Sequence, residues 1–278
     1  MLKPNQFLQL SQSNLQDYLD CPRRFQLKVI EGLSWPAAYS EPIEIFEKST
    51  RIGNIFHLIC QQFFSGVDPV LIENSLSDPV LQEMWDNFLP YGESLLQYHL
   101  YPEPLLSISF LEHKLIAKYD LIVEVNPKQY LIIDWKTTAN KPPRSKLGKR
   151  LQTHLYPYIF SQAGNDLFLD NSISPAFIEM RYWYPLSSEH EEIFPYSDEK
   201  NAKVKTDLEQ ILSKIITSIS ERTEFQLTDD KTSCQYCVFR SLCNRGSTAG
   251  SFEKYPPIEH EDLTYVQFDM NKVSEIDY

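Results

Sequence analysis

The sequence predicts a chain of mixed α and β structure, and three observations predict it. Leu115, Ala117, Tyr119, Leu121 and Val123 alternate with Lys114, Ile116, Lys118, Asp120 and Ile122, the period of two that marks a strand. Ile52, Ile55, Phe56, Ile59 and Phe63 recur at helical spacing. Val204, Leu208, Ile211, Leu212, Ile215, Ile216 and Ile219 form one apolar stripe along a second long helix.

The elements follow in order. Ser11 to Leu19 reads as a short helix, with Ser13 and Gln16 spaced as a capping box. Cys21-Pro22 interrupts it, and Pro22 suits the first turn of a second helix carrying Arg23, Arg24, Phe25 and Leu27. Residues 34–48 read as irregular, Thr50 to Phe64 as a helix, and residues 66–104 as short helical or loop pieces broken by prolines. The strand pattern of residues 114–123 then runs to a turn at Asn126-Pro127-Lys128, and Tyr130 to Lys136 is a second strand. Folded as a hairpin, the two bring Asp120 within a residue of Asp134. Residues 137–150 read as a polar loop, Leu151 to Phe160 as a helix burdened by Pro157, Phe177 to Tyr184 as a strand, and Cys234 to Cys243 as a compact knuckle. The expected division is a domain over 1–250 and an acidic tail over 251–278.

Composition narrows the function. Of 278 residues, 38 are acidic and 26 basic, a formal charge of −12, which excludes a protein that coats nucleic acid through net charge. The start, Met1 to Gln6, lacks the apolar stretch of a secretory leader, and no run approaches the roughly 18 apolar residues a membrane span needs. The expectation is a cytoplasmic protein with no membrane partner. In that reducing setting five cysteines point to metal binding rather than disulfides. No G-x₄-G-K-[ST] phosphate loop is present, so no nucleotide cofactor is expected, and any helicase would be a separate partner.

Two constellations carry chemistry. Asp134 and Lys136, two apart on a strand, share a face, and Asp120 would join them from the neighbouring strand. Two converging carboxylates make a hard oxygen site suited to Mg²⁺ or Mn²⁺, and a lysine beside them can orient a water or neutralise a developing charge. That is a layout for metal-assisted phosphodiester hydrolysis. Alone, D-x-K also fits a surface ion pair on a hairpin, but the apolar Leu131-Ile132-Ile133 run leading into Asp134 places the charge where a sheet meets solvent. Gln152 and Tyr156 share a helix face and read either as packing groups or as groups that position the substrate or the lysine. His57, on a mostly apolar helix, becomes a ligand only if that helix packs over the strands. The second constellation is Cys234, Cys237 and Cys243, spaced C-x₂-C-x₅-C, with Cys21 far upstream; four thiolates suit an iron–sulfur cluster or structural zinc. Cys60 reads as a small core residue.

In this order the motifs resemble the PD-(D/E)XK nuclease superfamily, in particular its RecB/AddB-like exonuclease branch with a four-cysteine [4Fe–4S] cluster. The resemblance spans about residues 8–246, with one departure in the site region: Ala117 stands where the family often has glycine. It implies a restriction-endonuclease-like core, a mixed sheet flanked by helices, and a metal-dependent DNA exonuclease of repair, recombination or CRISPR adaptation. His57, Asp120 and Asp134 match its Mg²⁺ or Mn²⁺ ligands, and Lys136 its catalytic lysine. Gln152 and Tyr156 match its Q-x₃-Y motif. Cys21, Cys234, Cys237 and Cys243 match its cluster ligands, so that the centre would join the two ends of the chain. DNA is the implied substrate, and a helicase or CRISPR adaptation proteins the implied partners.

Charge, taken by segment, accommodates this. Between Trp135 and Arg150 there is no acid, yet Lys136, Lys141, Arg144, Lys146, Lys149 and Arg150 give +6, placed to follow a phosphate backbone or simply to form a solvated loop. Residues 251–278 carry two bases and seven acids, −5. The competing reading is a non-catalytic iron–sulfur DNA-binding subunit; a zinc-stapled protein is a third.

Overall fold

The computed structural model describes residues 7–34, 37–138, 141–168, 173–187 and 190–252. Short β1 (Gln9–Ser11) leads into α1 (Gln12–Asp20), α2 (Pro22–Phe25) and one π-helical stretch, Gln26–Ile30. Then come β2 (Ser40–Glu41), α3 (Ile43–Phe64), α4 (Pro69–Ser75) and α5 (Pro79–Leu95). Five strands follow: β3 (His99–Pro102), β4 (Leu105–Phe110), β5 (His113–Lys118), β6 (Leu121–Asn126) and β7 (Gln129–Trp135). The order closes with α6 (Arg144–Leu147), α7 (Leu151–Ala163), β8 (Ile178–Trp183), β9 (Glu191–Pro195), α8 (Asp198–Ser220), α9 (Lys231–Cys234) and β10 (Gly250–Ser251).

The central sheet runs β3-β6-β7-β8-β9, mixed in direction: β7 and β8 are parallel and the other neighbours antiparallel. A second sheet runs β1-β5-β4, and β10 pairs with β2. Side chains alternate across the central sheet, which explains its two cores. Ile122, Ile132, Met180 and Tyr182 pack toward α7 and α8. Leu121, Val123, Leu131, Ile133, Trp135 and Trp183 pack toward α3 and α5. Helices on both faces of a mixed sheet make this an α/β fold, as expected.

Four local readings change. The alternation from Lys114 to Val123 is not one strand: β5 belongs to the second sheet and β6 to the central one, and the chain crosses between them at Tyr119-Asp120. The crossing is held by the Glu103 N–H on the Asp120 carbonyl (3.0 Å) and the Tyr119 N–H on the Pro104 carbonyl (3.0 Å). The α1 cap is Ser11, not Ser13; Ser11 Oγ accepts from the Asn14 N–H while Asn14 Oδ1 accepts from the Ser11 N–H. Helix α3 starts at Ile43, inside the stretch read as irregular, and its own Phe46 is buried. Proline punctuates rather than breaks: Pro69 and Pro79 sit at the first turns of α4 and α5, where the missing N–H is no loss. Helix α7 runs through Pro157 to Ala163 because nearly every side chain on it is buried, so packing holds what the missing hydrogen bond gives up. The tail from residue 253 onward lies outside the described residues.

Candidate functional site

The site is built where β7 ends. Asp134 and Lys136 lie on the side of the sheet facing α7, while the Trp135 ring goes to the other side, 5.4 Å from Phe88 and 6.2 Å from Phe64. Asp134 is 1% exposed, Lys136 5% and Gln152 0%, so their contacts operate largely without water. Lys136 Nζ is 2.6 Å from Asp134 Oδ2, and Gln152 Nε2 of α7 donates to Asp134 Oδ1 at 2.6 Å. Lys136 also lies 5.4 Å from the centre of the Tyr182 ring.

Asp120 reaches the same place from the strand crossing. The β6–β7 ladder pairs Leu121 with Ile133, so one step further the chain sets Asp120 across from Asp134. Asp120 Oδ2 accepts the Trp135 N–H at 2.7 Å, and its Oδ1 is 3.0 Å from His57 Nδ1. Helix α3 brings His57 there because it passes close over the end of β7: a Cβ on Gly53 would sit 2.8 Å from Thr137 Oγ1. Glycine at 53 is what that approach requires. Burial pushes the Asp120 pKa up, but the charge and hydrogen bond of His57, the Trp135 N–H and the Lys136 charge outweigh it and hold the carboxyl below its ordinary value.

Tyr156, one turn beyond Gln152, stands beside the crossing. Its ring is 4.9 Å from that of Tyr119, whose hydroxyl donates to the Tyr156 carbonyl at 3.0 Å. The structure also adds a carboxylate the sequence did not single out. Glu103 lies between β3 and β4 in the left-handed region (φ 54°) and pairs with Lys118. Burial raises its pKa, and the neighbouring Asp120 raises it further. A lone acid after a proline in an irregular stretch carries no periodic signal that would have found it.

The basic residues divide. Lys141 and Arg144 both bind Glu192 of β9, at 3.0 and 2.8 Å, and Arg144 lies 4.4 Å from the Phe194 ring centre. Lys146 and Lys149 are exposed and Arg150 half-buried. The loop beside Lys136 is therefore latched to the sheet edge through Glu192, which the sequence did not indicate.

Cys21, Cys234, Cys237 and Cys243 line one pocket of about 20 Å³ together with Arg24, Arg240 and Arg245. Burial pushes the Cys237 thiol up to about 11 and raises those of Cys234 and Cys243. Cys60 is fully enclosed in α3, one turn past His57.

Among the described residues no group of three or more His, Cys, Asp or Glu side chains stands ready to hold a metal ion. At the carboxylates, the Asp120 oxygens face His57 Nδ1 and the Trp135 N–H, and the Asp134 oxygens face Gln152 Nε2 and Lys136 Nζ. At the cysteines the donors fit a metal in kind and number, but the pocket has the room of about one water molecule. The iron–sulfur expectation therefore meets four converging thiols without a formed cluster cavity. Among the described residues no helix is long and apolar enough to cross a membrane.

Against known proteins, the family model of the PD-(D/E)XK nuclease superfamily matches residues 9–244. The solved structure of SSO0001 is 10% identical, with 86% of this chain and 87% of that one covered and a TM-score of 0.41. A protein from Eubacterium rectale solved under the name "Putative exonuclease" is 9% identical, with 92% of each chain covered and a TM-score of 0.49. None of the curated proteins matches.

Proposed function

The chain belongs to the PD-(D/E)XK nuclease superfamily, whose members hydrolyse phosphodiester bonds, and on that premise we propose that it is a divalent-metal-dependent DNA exonuclease working in the cytoplasm. The observation that carries this is the buried Lys136–Asp134–Gln152 chain with Asp120 and His57 set against it. Asp120, Asp134 and His57 would hold one Mg²⁺ or Mn²⁺, which would polarise the scissile phosphate and supply an activated water. Gln152 orients Asp134 through Oδ1 and Lys136 lies against Oδ2, and each oxygen keeps a second lone pair with which it could meet a metal. Lys136, enclosed and held by Asp134, presents an ammonium where negative charge grows on the phosphate. Tyr156 and Tyr119 keep the crossing in place, so that Asp120 stays opposite Asp134. Lys146, Lys149 and Arg150, with Lys141 and Arg144, supply the cationic edge for the DNA backbone.

The four cysteines are proposed to hold a metal–thiolate centre, a [4Fe–4S] cluster or zinc; the support is their convergence from both ends of the chain. Repair, recombination and CRISPR adaptation all offer DNA ends as substrate, and a helicase would be a separate chain.

The test is anaerobic purification followed by Mn²⁺-dependent digestion of end-labelled linear and circular DNA. Shortening of linear strands with circles resistant is the expected result. Lys136→Ala should abolish cleavage while retaining most DNA binding; equal turnover in that variant sinks the proposal.

A further inference from the structure

Helix α3 carries an open groove of about 360 Å³ that the chemistry proposed above does not use. Its floor is apolar, made by Phe46, Ile55 and Leu58, and Leu58 is 49% exposed. Thr50, Arg51 and Asn54 line it as polar groups, with Glu47 one turn beyond Arg51. Among the described residues neither Arg51 nor the Asn54 side chain has a hydrogen bond or ion pair, whereas the neighbouring Lys48 is drawn to Asp78 at 3.6 Å. Thr50 donates to the Phe46 carbonyl at 3.0 Å and keeps its oxygen as an acceptor. The groove continues the candidate site. Asn54 and Thr50 stand one and two turns before His57 on its side of α3. Gly53, beside Asn54, passes against Thr137, which directly follows Lys136.

The two flanks of the site differ. Lys141 and Arg144 tie the basic segment to β9, beyond β8, whereas His57 meets Asp120 on the β6 side. One flank is a long cationic edge. The other is a short groove, at the lower end of the roughly 300–1,000 Å³ of small-molecule clefts. Arg51 suits a phosphate, the apolar floor suits the face of an unpaired base, and Asn54 suits the polar edge of base or sugar. Arg51 lies about 9 Å along the helix axis from His57, so its phosphate is the one next to the scissile position. Glu47, one turn further out, repels a phosphate beyond that and ends the track. We propose that this groove is the subsite for the terminal, unpaired nucleotide of a DNA strand, with Arg51 on the phosphate at the strand's end and the rest of the strand on the basic segment. This rests on the nuclease reading above. Hydrolysis would then leave a deoxynucleoside monophosphate in the groove as product.

The experiment compares the full-length wild type with Arg51→Gln and Leu58→Glu. Both positions are exposed, so both variants should melt with the wild type. Calorimetric titration, with and without Mn²⁺, uses thymidine 5′-monophosphate, thymidine 3′-monophosphate, thymidine and inorganic phosphate. Cleavage is followed on linear single strands with and without a phosphate at each end. One of the two monophosphates should bind, and the isomer that does so names the strand end. Thymidine and inorganic phosphate should bind clearly more weakly. Arg51→Gln should weaken the monophosphate by about tenfold or more and erase the preference for a phosphorylated end. Leu58→Glu should raise KM at least about fivefold on phosphorylated and unphosphorylated ends alike. Inorganic phosphate binding as tightly as the monophosphate, or binding and KM unchanged in both variants, overturns the subsite while leaving the nuclease standing. A wild type that cleaves no DNA rejects the nuclease reading, and the groove is then judged on titration alone. Monophosphate binding lost in Arg51→Gln keeps it as a nucleotide site; no binding rejects both.

Discussion

Gln152 separates the work of the two Asp134 oxygens. It is fully enclosed and donates at 2.6 Å to Oδ1, while Lys136 holds Oδ2. Gln152→Ala leaves a buried carboxylate oxygen without its donor, at a cost of about 1–3 kcal/mol. The melting temperature should fall accordingly. Turnover should drop by about tenfold or more with KM nearly unchanged, because the DNA-facing bases are untouched; a KM effect alone would assign Gln152 to substrate binding instead. At this scale much of the proposed site was legible in the sequence. Asp134 and Lys136 could be placed on one face because strand alternation is strict, and Gln152 and Tyr156 on one turn because helix spacing is strict. Glu103 and Glu192 were not legible. Their positions depend on a loop conformation and on a strand pairing, and neither leaves a local period. The Gly53–Thr137 approach was equally silent, since a glycine in a helix announces nothing about what passes over it.

Among the elements, the latch between the basic loop and β9 changes how the +6 segment is understood. Glu192 is held by Lys141 and Arg144, and although burial raises its pKa, those hydrogen bonds and charges win and keep it below the ordinary carboxylate value. A folded pKa below the unfolded one means the latch stabilises the protein above the unfolded value, about pH 4.3. That contribution is lost as pH falls through the lower, folded value. Protease cleavage within residues 141–150 should therefore rise as pH falls below the unfolded value and through the lower folded one, and Glu192→Gln should show the raised cleavage already at neutral pH with a flat dependence. The same variant removes the carboxylate charge paired with Lys141 and Arg144, so its DNA affinity should fall more steeply with salt, by about one unit of logarithmic slope for each phosphate contact recruited. Elements with one strong period, α8 above all, were readable from residue spacing. Strand β9 and the split between β5 and β6 were not: β9 is a short edge strand, and the split is decided by the backbone contacts of residues 103 and 104 rather than by side-chain alternation.

For the molecule as a whole, the question is what joins its two ends. The resemblance assigns that role to the cysteine centre, which would close a loop of roughly 200 residues between Cys21 and Cys234. A permanent cross-link of that length would stabilise by about 5 kcal/mol in the chain-entropy account. The polypeptide, however, already makes the junction. The Arg23 N–H donates to the Gln226 carbonyl at 3.0 Å, and the Phe225 N–H to Gln26 Oε1 at 2.8 Å. Phe225 stacks on Phe25 at 6.2 Å, with Tyr18 edge-on to both. With the ends held this close, most of the loop-closure entropy is spent before any metal arrives, so a centre adds less than the full cross-link value. Two variants then part company. Cys21→Ala should lose bound metal yet keep a cooperative fold, with a melting temperature matching that of chelator-treated wild type. Phe225→Ala removes a side chain 5% exposed and should cost about 3–5 kcal/mol with or without metal. Hydrogen exchange should locate that loss at α1, α2 and the 224–226 segment. If Cys21→Ala unfolded the chain while Phe225→Ala left it stable, the metal centre rather than this aromatic junction would be what closes the molecule.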